Sequence, residues 1–237
     1  MKHLIIAAHP DDEVLGMGGT IKKLTRNGED VKIVIMATGI SSRRSSNYKN
    51  STKYEIDDQI LKKINAQILK LRKNAKNASA ILGVRDIQFE SFPDNEMDIV
   101  SNLQITKKIE EIIQSYNPDT VYTHSQFDIN VDHRALYFAT ITATRPKKNQ
   151  NVKEILCFEV PSSTEWYFPS MFSPNVFVDI SREIQFKLRA LKVYKNELQK
   201  FPHPRSLEAI SVVAKRWGSV SGFSNAEAFY LVRKIKQ

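Results

Sequence analysis

The stretch Leu4-Ile5-Ile6-Ala7-Ala8-His9-Pro10-Asp11-Asp12-Glu13-Val14-Leu15-Gly16 decides the fold. Its unbroken apolar run, ended by His-Pro, reads as a strand buried on both faces, and such strands belong to parallel sheets covered by helices. From Glu13 to Arg26 an Ile/Leu pattern with Asn27-Gly28 behind it predicts a helix with a glycine stop. Strand, turn and helix in that order open a βαβ unit, and the chain goes on repeating it. Val31 to Ala37 is strand-like. Ile56, Ile60, Ile64, Ile68, Leu71, Ala75, Ala78 and Leu82 recur at helical spacing, with Gly83 behind them, and predict one long amphipathic helix. Asp86 to Glu90 and Thr120 to Thr123 are short strand candidates, and Ile99 to Tyr116 and Asp132 to Thr144 are helices. Ile155 to Val160 and Val176 to Ile180 add strands, and the chain from Arg182 reads as mainly helical. The alternation predicts an α/β fold with a parallel, doubly wound sheet. No linker or shift in composition divides the chain, so residues 1–237 read as a single domain.

With 237 residues, 41% hydrophobic and 26% charged, the chain is globular in composition. Its apolar runs are strand-sized, far short of the ~18 residues of a membrane span. The opening residues are too briefly apolar for a secretory signal, and Cys157, the single cysteine, forms no intrachain disulfide. Both points suggest a reducing cytoplasm. A net charge of +9 favours an anionic partner: nucleic acid, a phosphorylated substrate or an acidic membrane surface. The basic residues are scattered and no nucleic-acid motif is present, so nucleic acid is set aside. Peripheral membrane contact and a homo-oligomer stay open. Thr38 to Thr52 reads as a long exposed loop, where Arg43, Arg44 and Lys49 offer charge to an anionic group, although a solvated loop explains them more simply.

In open α/β sheets ligands sit beyond the carboxyl ends of the strands, where strand order reverses, usually between the first and fourth strands. Both of those ends are unusual here. After the first comes His9-Pro10-Asp11-Asp12-Glu13, and after the fourth comes His124-Ser125-Gln126-Phe127-Asp128-Ile129-Asn130-Val131-Asp132-His133. Three of the five histidines fall in these segments, which the topology brings together. Imidazoles and carboxylates converging in a cleft suit a divalent metal such as Zn²⁺, with an additional carboxylate as general base. Two neighbouring aspartates on a turn point in different directions, so one binds metal while the other handles protons. A helix cap would account for the acidic cluster but does not call for His9. Asp132-His133 taken alone reads equally well as a cap and a surface residue. Gly16-Met17-Gly18-Gly19 lacks the dinucleotide spacing, and three carboxylates occupy the turn where a pyrophosphate would sit. Those glycines are expected to let the helix pack closely on the sheet.

Ala8-His9-Pro10-Asp11-Asp12-Glu13-Val14-Leu15-Gly16, with Asp132-His133 downstream, resembles the PIG-L/LmbE family of metal-dependent de-N-acetylases. Phe92-Pro93-Asp94, Tyr122-Thr123-His124, Ser162 to Trp166, Pro202 to Ser206 and Ala226 to Phe229 extend the likeness over nearly the whole chain. The resemblance implies a Rossmann-like fold and a Zn²⁺ hydrolase, with Fe²⁺ as another candidate metal, that removes acetyl from an N-acetylated amino sugar. By the same resemblance His9, Asp12 and His133 are the metal ligands and Asp11 the general base. Asp132 orients a neighbouring side chain, and Arg72 and Asp94 contact substrate. Many relatives carry His-x-Asp-His where this chain has Asn130-Val131-Asp132-His133. An asparagine amide donates to an oxyanion but delivers no proton at neutral pH, so Asn130 covers half of that role. Asp11, His124 or His203 is then the candidate acid. His124 is expected to line the pocket, Glu165 to bind a hydroxyl, and Trp166, Tyr167 and Phe168 to form a sugar-stacking wall. The expected substrate is an N-acetyl sugar on an anionic carrier. A metal-dependent amidase of another small amide or thiol conjugate, and a non-catalytic binding module, are the alternatives.

Overall fold

The computed structural model describes residues 1–38, 58–148 and 150–236. Most of the loop expected at Thr38 to Thr52, with Arg43, Arg44 and Lys49, and the start of the long helix lie outside them.

The alternation read from the sequence folds as β1 (Lys2–Ala7), α1 (Asp12–Arg26), β2 (Asp30–Ala37), α2 (Asp58–Leu82), β3 (Asp86–Phe92), α3 (Asn102–Tyr116) and β4 (Thr120–His124). It continues as α4 (Val131–Ala143), β5 (Glu154–Phe158), β6 (Val176–Asp179), α5 (Ile184–Leu191), α6 (Leu207–Ser221) and β7 (Ala226–Lys234). The strands form one seven-stranded sheet in the order β3-β2-β1-β4-β5-β7-β6. Strand order reverses at β1, which pairs in parallel with β2 on one side and β4 on the other. This is the α/β, Rossmann-like arrangement expected.

Helices cover both faces because β1 and β2 are apolar on both. Ile5, Ala7, Ile33 and Ile35 pack with residues of α1 and α2. Leu4, Ile6, Ala8, Val34 and Met36 pack on the other face with residues of α3 and α4. A period of two within an all-apolar run therefore supplies two cores at once.

The end of the chain departs from expectation. Ala226–Lys234 is a strand, not helix, and it pairs antiparallel with both β5 and β6. The sheet is therefore mixed, with β7 alone running against the rest. Ala226-Glu227-Ala228 has the local character of a helix, but its place between β5 and β6 overrides that preference.

The close approach expected of the glycines in α1 is present. A Cβ at Gly16 would overlap the Phe158 ring, and one at Gly19 would lie 2.8 Å from Ile180 Cβ. Between them Met17 breaks the helical geometry, at φ −145° and ψ 24°. Glu227 of β7 takes up the backbone donors beyond the break, accepting from the Gly19 N–H at 2.9 Å and the Thr20 N–H at 2.6 Å. Lys187 of α5 neutralises that buried carboxylate at 2.6 Å.

Candidate active site

The site forms where β1, β3 and β4 end. β1 delivers His9 and the turn Asp11-Asp12, β3 leads into Asp94 and Asn95, and β4 leads through Asp128 to the start of α4 with Asp132 and His133. The two segments singled out in the sequence meet.

Asp12 is fully buried, and two imidazoles converge on its carboxylate. His9 Nδ1 and His133 Nε2 each lie 3.2 Å from Asp12 Oδ2. The outward nitrogens are held by other carboxylates. His9 Nε2 lies 2.9 Å from Asp132 Oδ2 and 3.1 Å from Asp94 Oδ1, and His133 Nδ1 lies 3.0 Å from Asp128 Oδ2. An imidazole whose outer N–H is given to a carboxylate presents its other nitrogen as a lone pair.

Asp132 and Asp128 are themselves held. Asp132 accepts from the Asn95 N–H at 2.6 Å through Oδ2 and from the Met97 N–H at 2.9 Å through Oδ1. Asp128 accepts from the Ser163 hydroxyl, from the Thr164 hydroxyl at 2.8 Å and from the Asn130 N–H at 2.8 Å.

These residues fit a metal. One ligand atom each from His9, Asp12 and His133 lie within 4.8 Å of one another. Asp12 Oδ1 is buried without a hydrogen-bond partner among the described residues. Two imidazoles and one carboxylate suit Zn²⁺ or Fe²⁺ and leave coordination positions open. His9, Asp94 and Asp132 form a second such group, but Asp132 already accepts two backbone N–H bonds.

The charges bear on each other strongly. Burial raises the Asp12 carboxyl, yet the facing imidazoles outweigh it and hold it well below the usual carboxylate range. Burial lowers His133, but Asp12 and Asp128 push it up to about 9. Metal binding at such a site displaces protons.

Asp11 stands apart from this cluster. Its backbone is left-handed at φ 111°, and its side chain makes no cap bond to α1. Asp11 Oδ2 instead accepts from Arg205 at 2.9 Å. Burial pushes Asp11 up to about 7 against the pull of that guanidinium. Arg205 also donates to Ser162 Oγ at 2.7 Å, and its own N–H donates to His203 Nδ1 at 3.1 Å.

Asn130 caps α4: its Oδ1 accepts from the Asp132 N–H at 2.9 Å and its Nδ2 donates to Asn95 at 3.0 Å. With Asn95, Ile129, His133, Ser162 and Arg205 it lines the open cleft over the cluster.

The other residues named from the sequence take varied places. His124 is fully buried beneath His133, its ring stacked at 3.9 Å, and its Nε2 accepts from the Ala8 N–H at 2.8 Å. Burial holds it neutral, well below the usual range. His203 shapes the turn that carries Arg205 and meets Trp166 edge-on at 6.2 Å. Both oxygens of Glu165 accept backbone N–H bonds, from Ser162 and Ser163. Arg72 donates to the Glu90 carbonyl at 2.9 Å at the end of β3. Trp166 and Phe168 are exposed. Asp128 and the Arg205 pairing with Asp11 went unread in the sequence. The signal for Asp128 was available, since each metal-binding histidine calls for its own carboxylate or carbonyl partner.

Residues 4–144 match the profile of the GlcNAc-PI de-N-acetylase family, PIG-L. Diacetylchitobiose deacetylase from Thermococcus kodakarensis is 28% identical over 240 residues, 99% of this chain and 84% of that protein. The uncharacterized deacetylase YaiS of Escherichia coli K12 is 30% identical over 199 residues, 81% of this chain and 90% of that protein. The structure of N,N′-diacetylchitobiose deacetylase from Pyrococcus horikoshii, 23% identical, shares the fold with a TM-score of 0.75, covering 98% of this chain and 84% of that one.

Proposed function

The chain belongs to the GlcNAc-PI de-N-acetylase family and is a deacetylase, and from that premise we propose that it hydrolyses the acetamide of an N-acetylated amino sugar borne on an anionic carrier. His9, Asp12 and His133 hold the divalent cation, with Zn²⁺ ahead of Fe²⁺, and 1–237 act as one domain. The observation that carries this reading is the convergence of two imidazoles on the buried Asp12, each backed by a separate carboxylate. When bound by these residues, a divalent cation would supply Lewis-acid polarisation of the amide carbonyl and lower the pKa of water to about 7.

The chain's own groups do the rest. Asp11 accepts the proton of the attacking water as its oxygen bonds to the carbonyl carbon, and Arg205 fixes the carboxylate that does so. One N–H of the Asn130 amide is given to Asn95, and the other is available to the developing oxyanion. As the C–N bond breaks, Asp11 returns the proton to nitrogen, so that acetate and a free amine leave. His124 is unsuited to that delivery because Nε2 already serves as an acceptor for the Ala8 N–H. His203 and Glu165 act by holding the loops around the cleft, and Asp94 acts through His9 at the cleft floor. Arg72 is the candidate for a substrate contact beyond the end of β3. The excess charge of +9 supports an anionic carrier.

The test is a pair of variants assayed for metal and for acetate release. Asp11→Asn keeps its metal and loses turnover by a hundredfold or more, whereas His133→Ala loses metal and turnover together. Undiminished turnover in Asp11→Asn removes the base assignment.

A further inference from the structure

The turn that carries Asp11 is held by two residues that the reaction above does not use. Asp11 lies at φ 111°, a region that residues with a side chain rarely adopt. Its backbone N–H donates to Glu13 Oε2 at 3.1 Å, and Glu13 Oε1 accepts from the Tyr194 hydroxyl at 2.8 Å. Asp11, Glu13 and Tyr194 are 3%, 0% and 1% exposed, so water does not stand in for a lost partner. Tyr194 ends the short 3-10 turn Lys192–Tyr194 that follows α5, and so reaches the site from a distant part of the chain.

A buried carboxyl group needs hydrogen-bond partners at both oxygens, and a partner missing there is costly. Among the donors to Glu13 is an amide whose direction depends on the Asp11 backbone. Rotation of Asp11 out of the left-handed region swings that N–H away and costs Glu13 Oε2 a donor. Glu13 therefore favours one backbone conformation of Asp11, provided its own carboxylate is fixed, and the Tyr194 hydroxyl fixes it. Arg205 holds the Asp11 side chain from the opposite end.

We propose that Tyr194, acting through Glu13, is a positioning residue that holds Asp11 in its left-handed conformation and so aims its carboxylate at the reacting centre. The inference rests on the assignment of Asp11 as proton acceptor.

The experiment compares metal-loaded wild type, Tyr194→Phe, Glu13→Gln and Asp11→Asn. It measures metal content, kcat and KM for acetate release from N,N′-diacetylchitobiose, and the Asp11 backbone in crystal structures of the variants. Tyr194→Phe keeps the ring and its packing, so metal content and KM stay within twofold of wild type, kcat falls at least tenfold, and Asp11 leaves positive φ. Glu13→Gln retains half or more of kcat, because its amide oxygen accepts the Asp11 N–H while its amide nitrogen donates to the Tyr194 oxygen. If Tyr194→Phe proves too unstable, Glu13→Asp, too short to span both donors, shows the same division between kcat and KM.

Unchanged kcat with Asp11 still left-handed in Tyr194→Phe overturns the proposal. So does loss of metal in step with turnover, which marks Tyr194 as merely structural. Full turnover in Asp11→Asn, or no acetate release by wild type, counts against the proposed function instead. The positioning claim is then decided by the Asp11 backbone in Tyr194→Phe.

Discussion

At His133 two carboxylates divide one imidazole between them: Asp12 faces Nε2 at 3.2 Å and Asp128 faces Nδ1 at 3.0 Å. The outer contact sets which nitrogen carries the proton, so it governs how well the inner nitrogen serves as a ligand. Asp128→Ala is accordingly expected to weaken metal binding by about 10- to 100-fold without removing a ligand, as measured by competition against a chelator. Unchanged affinity would mean that Asp128 serves only the loop through Ser163 and Thr164. At this scale the clustering of His9 and the paired aspartates was legible because His9-Pro10-Asp11-Asp12 keeps its chemistry in consecutive residues. Asp128 and Arg205 were not, because what they do is defined by contacts across the fold. Arg205 stands 194 residues beyond the carboxylate it holds. His124 shows the converse: it was expected to line the pocket, but as the last residue of its strand it points inward, is fully buried and supports His133 from below.

The elements meet most tightly at the break in α1, where Gly16 and Gly19 bring the helix onto Phe158 and Ile180. The backbone donors released at Met17 are given to Glu227, and Lys187 balances its charge inside the protein. Glu227→Ala removes an acceptor for two backbone N–H groups and strands a buried lysine. A loss of about 3–5 kcal/mol of folding stability is expected from breaking a buried pair in this way, and urea unfolding measures it. A loss below 1 kcal/mol would show that the pair is not what holds the break. The parallel half of the sheet was legible because β1 and β2 are largely apolar and the helices between the strands carry clear periodicity and glycine stops. β7 was missed although Phe229-Tyr230-Leu231-Val232 are strand-favouring residues, because Ala226-Glu227-Ala228 ahead of them shows no strand pattern and Glu227 points to a partner in α1. A strand whose charged residue faces inward to cap a broken helix hides the alternation that would have revealed it.

Across the whole molecule, strand order reverses beside β1, and the topology carries the two histidine segments to one end of the sheet. That juxtaposition was readable in advance, because the reversal usually falls between the first and fourth strands of a doubly wound sheet. The substrate was not readable, since its recognition depends on contacts that the fold makes over long sequence distances. The helices among the described residues include none long and apolar enough to cross a membrane. A cation bound only by the folded chain stabilises it by mass action, so removing the metal lowers the melting temperature as well as the rate. The most direct test is elemental analysis of protein purified without chelator, joined to acetate release from N,N′-diacetylchitobiose before and after metal stripping and restoration. The expected result is near one equivalent of zinc or iron, with acetate release that is lost on stripping and regained on restoration. Protein that holds no metal after reconstitution, or that releases acetate equally well without it, would contradict the account.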